Sequence, residues 1–245
     1  MYKQFVTFTL TAVSLAFASA AFSHTRLETP TIPDNTRVTN NVIIGHGCGT
    51  EGSTERRPVI GTSVVFPDGA DSTIIVDGQP YTGSLGDFVT NWGNIPQQNY
   101  NRAVFDLQDE KADSLGNVVG FWAGGNPLPV NMNGYVPFRV NAVQFNEESC
   151  VSSVKFYISI ADICEITPTS GFSENTVGLW THNSLGTPYD RQSTEDDGPA
   201  SLTVTRTSAL PASCGTGQVV EVKPSATQIN RDMPIIYNGQ QVWPQ

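Results

Sequence analysis

Two neighbouring stretches decide the fold: Phe138-Arg-Val-Asn-Ala-Val-Gln-Phe145 and Ser153-Val-Lys-Phe-Tyr-Ile-Ser-Ile160. In the first, Phe138, Val140, Ala142 and Gln144 share one face, while Arg139, Asn141, Val143 and Phe145 share the other. That is the two-residue period of a strand, and the first set is the better core face. The short connection carries Glu147, Glu148 and Cys150, which predicts a hairpin between residues 136–145 and 153–160. Similar runs rich in Val, Ile, Thr and Phe come earlier, at 37–44, 59–66, 72–76, 102–107 and 118–122. Others follow at 176–180, 201–206 and 218–222. Gly, Pro, Asn and Asp separate them, and helix signals are nearly absent. The chain therefore reads as all-β, a β-sandwich of immunoglobulin-like or related type. One domain is expected over residues 24–223, with an extended, irregular C-terminal segment over 224–245 that is rich in Pro, Asn and Gln.

The 245 residues are 38% hydrophobic and only 15% charged, enough for a core and too few charges for a long solvated helix. Lys and Arg number 13 against 23 Asp and Glu, with no basic cluster, which disfavours nucleic acid as a partner. Lys3, the apolar run from Phe5 to Phe17 and the small residues Ala18, Ser19, Ala20, Ala21 and Ser23 have the form of a secretory signal peptide over residues 1–23. No later stretch reaches the ~20 apolar residues of a membrane span, so none is expected. A periplasmic or secreted protein follows. Cleavage after Ala20 would leave Ala21 first; cleavage after Ser23, the preferred reading, leaves His24 first.

Cys48, Cys150, Cys164 and Cys214 are an even set in an exported chain and read as two disulfides, with three pairings open. The histidines number three: His24, His46 and His182. A mature N-terminal His24 offers its α-amine and its ring Nδ1, which together close a chelate ring on one metal. Nitrogen chelation of that kind favours Cu(II). His46 lies in Gly45-His46-Gly47-Cys48, at the end of a predicted strand, where glycines let the backbone turn and approach a neighbour. In Trp180-Thr181-His182, strand alternation would send the indole and the imidazole to one face. Other chemistries are thin. There is no Gly-x-Ser-x-Gly elbow, and the acidic run Asp190, Glu195, Asp196 and Asp197, in a segment read as a mobile loop, lacks calcium-loop spacing.

These pieces resemble the YcnI-like family of exported domains. The family pattern is a leading His, a Pro soon after, a strand ending in His-Gly-Cys, and a strand ending in Pro-(Asp/Glu)-Gly. This chain has His24 and Pro30, then Ile44-Gly45-His46-Gly47-Cys48, then Val65-Phe66-Pro67-Asp68-Gly69, with Val143-Gln144 later preceding Cys150. The resemblance implies a β-sandwich that binds Cu(II) through the terminal His in copper acquisition or homeostasis, with another copper-handling protein as partner. It also implies the disulfide Cys48–Cys150, leaving Cys164–Cys214. Glu51 is the nearest carboxylate to serve beside the terminal His, and the family Trp after the second Cys is missing. A fainter resemblance, of Trp180-x-His182 to methanotroph copper proteins of the MopE type, implies His182 as a ligand and Trp180 as a lining residue. The expected ligands are thus His24, then His46, with His182 in reserve. A binding protein is favoured over an enzyme. A lytic polysaccharide monooxygenase, which also opens with His on a β-sandwich, is the enzymatic alternative, and a metal-free structural or adhesive β-domain is the third.

Overall fold

Alternating apolar residues build almost every element of the chain, as seen in a computed structural model that describes residues 24–50, 53–192 and 198–245. The expected signal peptide, Glu51, and Glu195, Asp196 and Asp197 of the acidic loop lie outside the described residues. The first strands are β1 (Arg26–Leu27), β2 (Thr31–Pro33), β3 (Val38–Ile44), β4 (Val59–Val65), β5 (Thr73–Val76), β6 (Gln79–Tyr81) and β7 (Pro96–Gln98). Next come β8 (Leu107–Ala112), β9 (Val118–Leu128), β10 (Gly134–Val140), β11 (Val151–Ile163) and β12 (Val177–Trp180). The chain closes with β13 (Ala200–Thr205), β14 (Gln218–Lys223), the helix α1 (Ala226–Asp232), β15 (Ile235–Tyr237) and β16 (Gln240–Trp243).

One large sheet has the order β1-β3-β10-β7; the other runs β6-β5-β14-β11-β4-β9-β8, with β12 and β13 also on β11 and β2 on β13, and β15-β16 form a small third sheet. The two large sheets pack face to face. Phe138 from the smaller of them meets Phe66, just past β4, and Phe121 of β9, with ring centroids 5.7 and 5.4 Å apart. Val42, Ile44, Val136 and Val140 join that core from one side, and Val154, Phe156, Ile158, Val220 and Val222 from the other. Each fully buried side chain of this size contributes about 1.5–3 kcal/mol. The β-sandwich is as the sequence predicts, and so is the burial of Phe138 and Val140. The rest of that face is corrected, because β10 ends at Val140 and beyond it Val143 and Phe145 enter the core while Ala142 is half-buried and Gln144 exposed.

β11 is the spine. Its first half is flanked by β13 and β14, its second half by β4 and β12. Val154, Phe156, Ile158 and Ile160 point into the sandwich, while Ala161 and Ile163 point to the outer face. That outer face carries a third layer: Ile229, Met233, Ile235 and Trp243 cover Val65, Trp122 and Val177.

Several expectations are corrected here. Residues 136–145 and 153–160 form no hairpin, because β10 pairs with β3 and β7 in one sheet and β11 lies in the other. The connection crosses the sandwich instead. Strand 102–107 is displaced to β8, which begins at Leu107. The C-terminal segment is ordered, not extended and irregular. Ser225 caps α1 by accepting from Gln228 N at 3.1 Å, Gln228 Nε2 donates to Phe66 O at 2.7 Å, and the Trp243 ring stacks on Phe172. Polar residues that read as loop are tertiary partners.

The disulfides are Cys48–Cys164 and Cys150–Cys214, which overturns the pairing implied by the family resemblance. The register explains both. β4 begins opposite the end of β11, with Gly61 against Ile163, and Cys48 bridges to Arg57 just ahead of β4. Cys48 therefore meets the cysteine that follows β11. Cys150 and Cys214 precede two strands that start side by side in parallel, Val151 against Gln218. Peptide mapping under non-reducing conditions is expected to recover these two cross-links; a Cys48–Cys150 peptide would contradict the register.

Candidate metal centre

Four segments meet at one end of the sandwich: residues 24 and 25 leading into β1, the loop after β3, the end of β11 and the end of β12. His24 and His46 converge there on Trp180. The His24 ring stands edge-on to the indole at 5.4 Å between centroids, and the His46 ring at 5.9 Å. The indole is itself buried in the sandwich core. Its Nε1–H donates to Asp162 Oδ2 at 2.8 Å.

Asp162 is wholly buried and accepts three hydrogen bonds. Thr25 Oγ1 and Trp180 Nε1 donate to Oδ2, and Thr62 Oγ1 donates to Oδ1 at 2.9 Å. Burial pushes its carboxyl up to about 6, and the three donors pull it back toward the ionised form. Through Thr25 the carboxylate grips the residue next to His24.

The His46 loop is held by other means. Cys48 pairs with Arg57 through two backbone hydrogen bonds, 3.0 and 2.8 Å, and its sulfur is bonded to Cys164. Gly47 permits this approach, since a Cβ there would lie 2.0 Å from Arg57 O. His46 Nδ1 sits 2.8 Å from Gly47 O and 2.9 Å from Arg56 Nη1, and Arg56 also donates to Gly47 O at 3.1 Å. With the proton on Nδ1, donated to Gly47 O, the Nε2 nitrogen carries the lone pair; the other tautomer accepts Arg56 at Nδ1. Burial lowers the ring's pKa, the hydrogen bond to Gly47 raises it, and Arg56 and His24 lower it further. The net shift favours the neutral imidazole, which is the metal-binding form. His24 Nδ1 is enclosed and has no hydrogen-bond partner. A buried orphan nitrogen, with a second imidazole on the same indole, is the donor chemistry of a nitrogen-preferring metal ion.

His182 is not brought to this place. β12 ends at Trp180, Thr181 turns inward to donate to Tyr189 O, and the alternation is broken. The His182 ring packs against Tyr157, 5.5 Å between centroids, on the face of β11 opposite to Ile160 and Asp162. Its Nε2 is also an orphan, but burial, Lys223 and Arg191 push its pKa down to about 4. Cations that disfavour a proton there disfavour a metal ion for the same reason. The expected sharing of one face by Trp180 and His182 is therefore corrected.

Asp162, Thr25 and Arg56 were not among the sequence candidates. One signal was available for Asp162: in Phe156, Ile158, Ile160, Asp162 it occupies an inward position at the end of an apolar face. Nothing in the sequence marked Thr25. Among the described residues, no group of three or more His, Cys, Asp or Glu side chains is gathered to hold a metal. His24 and His46 each pack against Trp180, and a tight site here would require a further donor from the backbone.

No family model and no curated protein matches the chain. Among solved structures it is similar to an uncharacterized protein from Nocardia farcinica described as having an immunoglobulin-like fold. The TM-score is 0.40 at 9% identity, covering 74% of this chain and 98% of that one. No helix among the described residues is long and apolar enough to cross a membrane. Two disulfides with no free cysteine are the chemistry of an oxidising compartment.

Proposed function

We propose that the mature protein is an exported copper-binding protein, periplasmic or secreted, that holds one Cu(II) at its N-terminus. The His24 α-amine and ring nitrogen chelate the ion, and His46 supplies a third nitrogen through Nε2. The convergence of His24 and His46 on Trp180 carries this reading. Bound there, Cu(II) is cargo in acquisition or homeostasis, passed on to another copper-handling protein. The protein's part is to present neutral nitrogens at half-buried positions and to keep the His46 proton on Nδ1, donated to Gly47 O, rather than on the ligating atom. This hydrogen bond from the remote ring nitrogen is the usual way a ligand imidazole is oriented.

N-terminal mass spectrometry combined with copper titration followed by EPR tests the reading. The expected result is a His24 first residue and one Cu(II) with nitrogen superhyperfine structure. An Ala21 first residue would remove the chelate and favour a metal-free structural domain. Affinity should fall at least about tenfold as the pH drops from 7 to 6, because the amine, ordinarily titrating at about 7.7–8.0, must lose one proton to bind and the ligating rings must be unprotonated as well. The lowered pKa of His46 delays a second proton to more acid pH. A dependence of two protons already at pH 7 would contradict that assignment. A copper monooxygenase would use the same nitrogens, and release of oxidised products from chitin or cellulose with a reductant would favour that enzyme over the carrier.

A further inference from the structure

We infer that Asp162 is the positioning residue of the copper site: it fixes both the terminal ligand and the indole against which both imidazoles pack, and it does not ligate. The inference rests on the copper reading proposed above. The geometry assigns the role, because both carboxylate oxygens are already committed. Oδ2 accepts from Thr25 Oγ1 and Trp180 Nε1, and Oδ1 accepts from Thr62 Oγ1. Thr25 and Asp162 are both nearly inaccessible, at 3% and 2% exposure, so these bonds face no competition from water.

The consequence concerns the chain end. A terminal residue is ordinarily among the most mobile in a protein. Here the next side chain is buried and bonded to a carboxylate on the central strand, so His24 is held at Trp180 before any metal arrives. A chelating terminus ordered in advance loses less conformational freedom on binding. The same strand end, two residues on, carries Cys164 and through it the His46 loop. One strand end thus sets the spacing of both ligands, one by a carboxylate and one by a disulfide.

The test uses the processed full-length protein with Thr25→Val, Thr25→Ser and Asp162→Asn, each checked for native near-UV circular dichroism. Val keeps the shape and removes the hydroxyl; Ser restores it. Thr25→Val and Asp162→Asn are expected to weaken Cu(II) about 10–100-fold, the usual loss for a partner behind a ligand, and to broaden the EPR spectrum. Thr25→Ser should stay close to the parent. In metal-free protein, the His24 ring should give one dispersed NMR resonance in the parent and Thr25→Ser, and a motionally averaged one in Thr25→Val. Tight binding and an unchanged spectrum in Thr25→Val would overturn the inference, as would loss in Thr25→Ser equal to that in Thr25→Val. Loss in Asp162→Asn alone, with an altered EPR signal and Thr25→Val unaffected, would make Asp162 a ligand and overturn it as well. If the parent binds no copper but its His24 resonance depends on Thr25, the positioning stands and the copper reading falls.

Discussion

N-terminally acetylated protein that retains the three residues from Ala21 before His24 will bind Cu(II) at least about a hundredfold more weakly than the processed form. Extension turns the His24 amine into an amide, and acetylation removes the new terminal amine that could anchor Cu(II) on deprotonated amides, so the chelate ring is lost. What remains is a pair of imidazoles, and the described residues provide no third side chain to complete a site. His24→Ala in the processed protein should do comparable damage from the other side, leaving an amine and His46. Competition against a chromophoric copper chelator measures both, and the nitrogen count in the EPR spectrum should fall in each. Equal affinity in the extended and processed proteins would remove the terminal chelate from consideration.

The second large effect is on stability. Cys48 and Cys164 are 116 residues apart, and deleting that cross-link by a double Cys→Ala change should cost about 5 kcal/mol on a loop-entropy estimate. Removing Cys150–Cys214, separated by 64 residues, should cost about 4 kcal/mol by the same reasoning. Chemical denaturation gives these values. The two variants differ more sharply in copper binding. Only Cys48–Cys164 lies next to the His46 loop, so only its loss should weaken Cu(II) and reduce the third-nitrogen contribution. Equal weakening by both would mean that general destabilisation, not the loop, sets the affinity.

The sandwich was legible because the alternation of Phe138 and Val140, and the β-rich runs around them, report burial directly. Partner choice was not. Strand 153–160 follows 136–145 closely in sequence, yet the connection crosses between sheets, and no local residue pattern distinguishes that from a hairpin. The C-terminal segment was misread for a related reason: Gln228 and Arg231 look like loop residues until Phe66 O and Asp68 supply their partners, with Arg231 donating to Asp232 as well. At the candidate site, residue chemistry and the glycines flanking His46 nominated His24 and His46, and both rings pack against Trp180. His182 was placed wrongly because strand alternation was carried past Trp180, where the strand stops. Asp162 could have been found by continuing the inward series of β11 by one step. Thr25 could not, since its partner lies 137 residues away.

The order of the cysteines along the chain has a consequence for biogenesis. Cys48–Cys164 and Cys150–Cys214 are interleaved: each bridge has one end inside the loop closed by the other. A polypeptide emerging N-terminus first through a translocon presents Cys48 and then Cys150, and an eager oxidase joining thiols in order of arrival produces a bond absent from the finished protein. Correct maturation therefore needs either oxidation deferred until the β11 to β14 region has been delivered, or a disulfide isomerase to undo the first error. Yield in an oxidising host should consequently depend on isomerase supply more than on oxidase supply. The His46 loop, anchored at Cys48, would be among the last parts of the protein to reach its final shape.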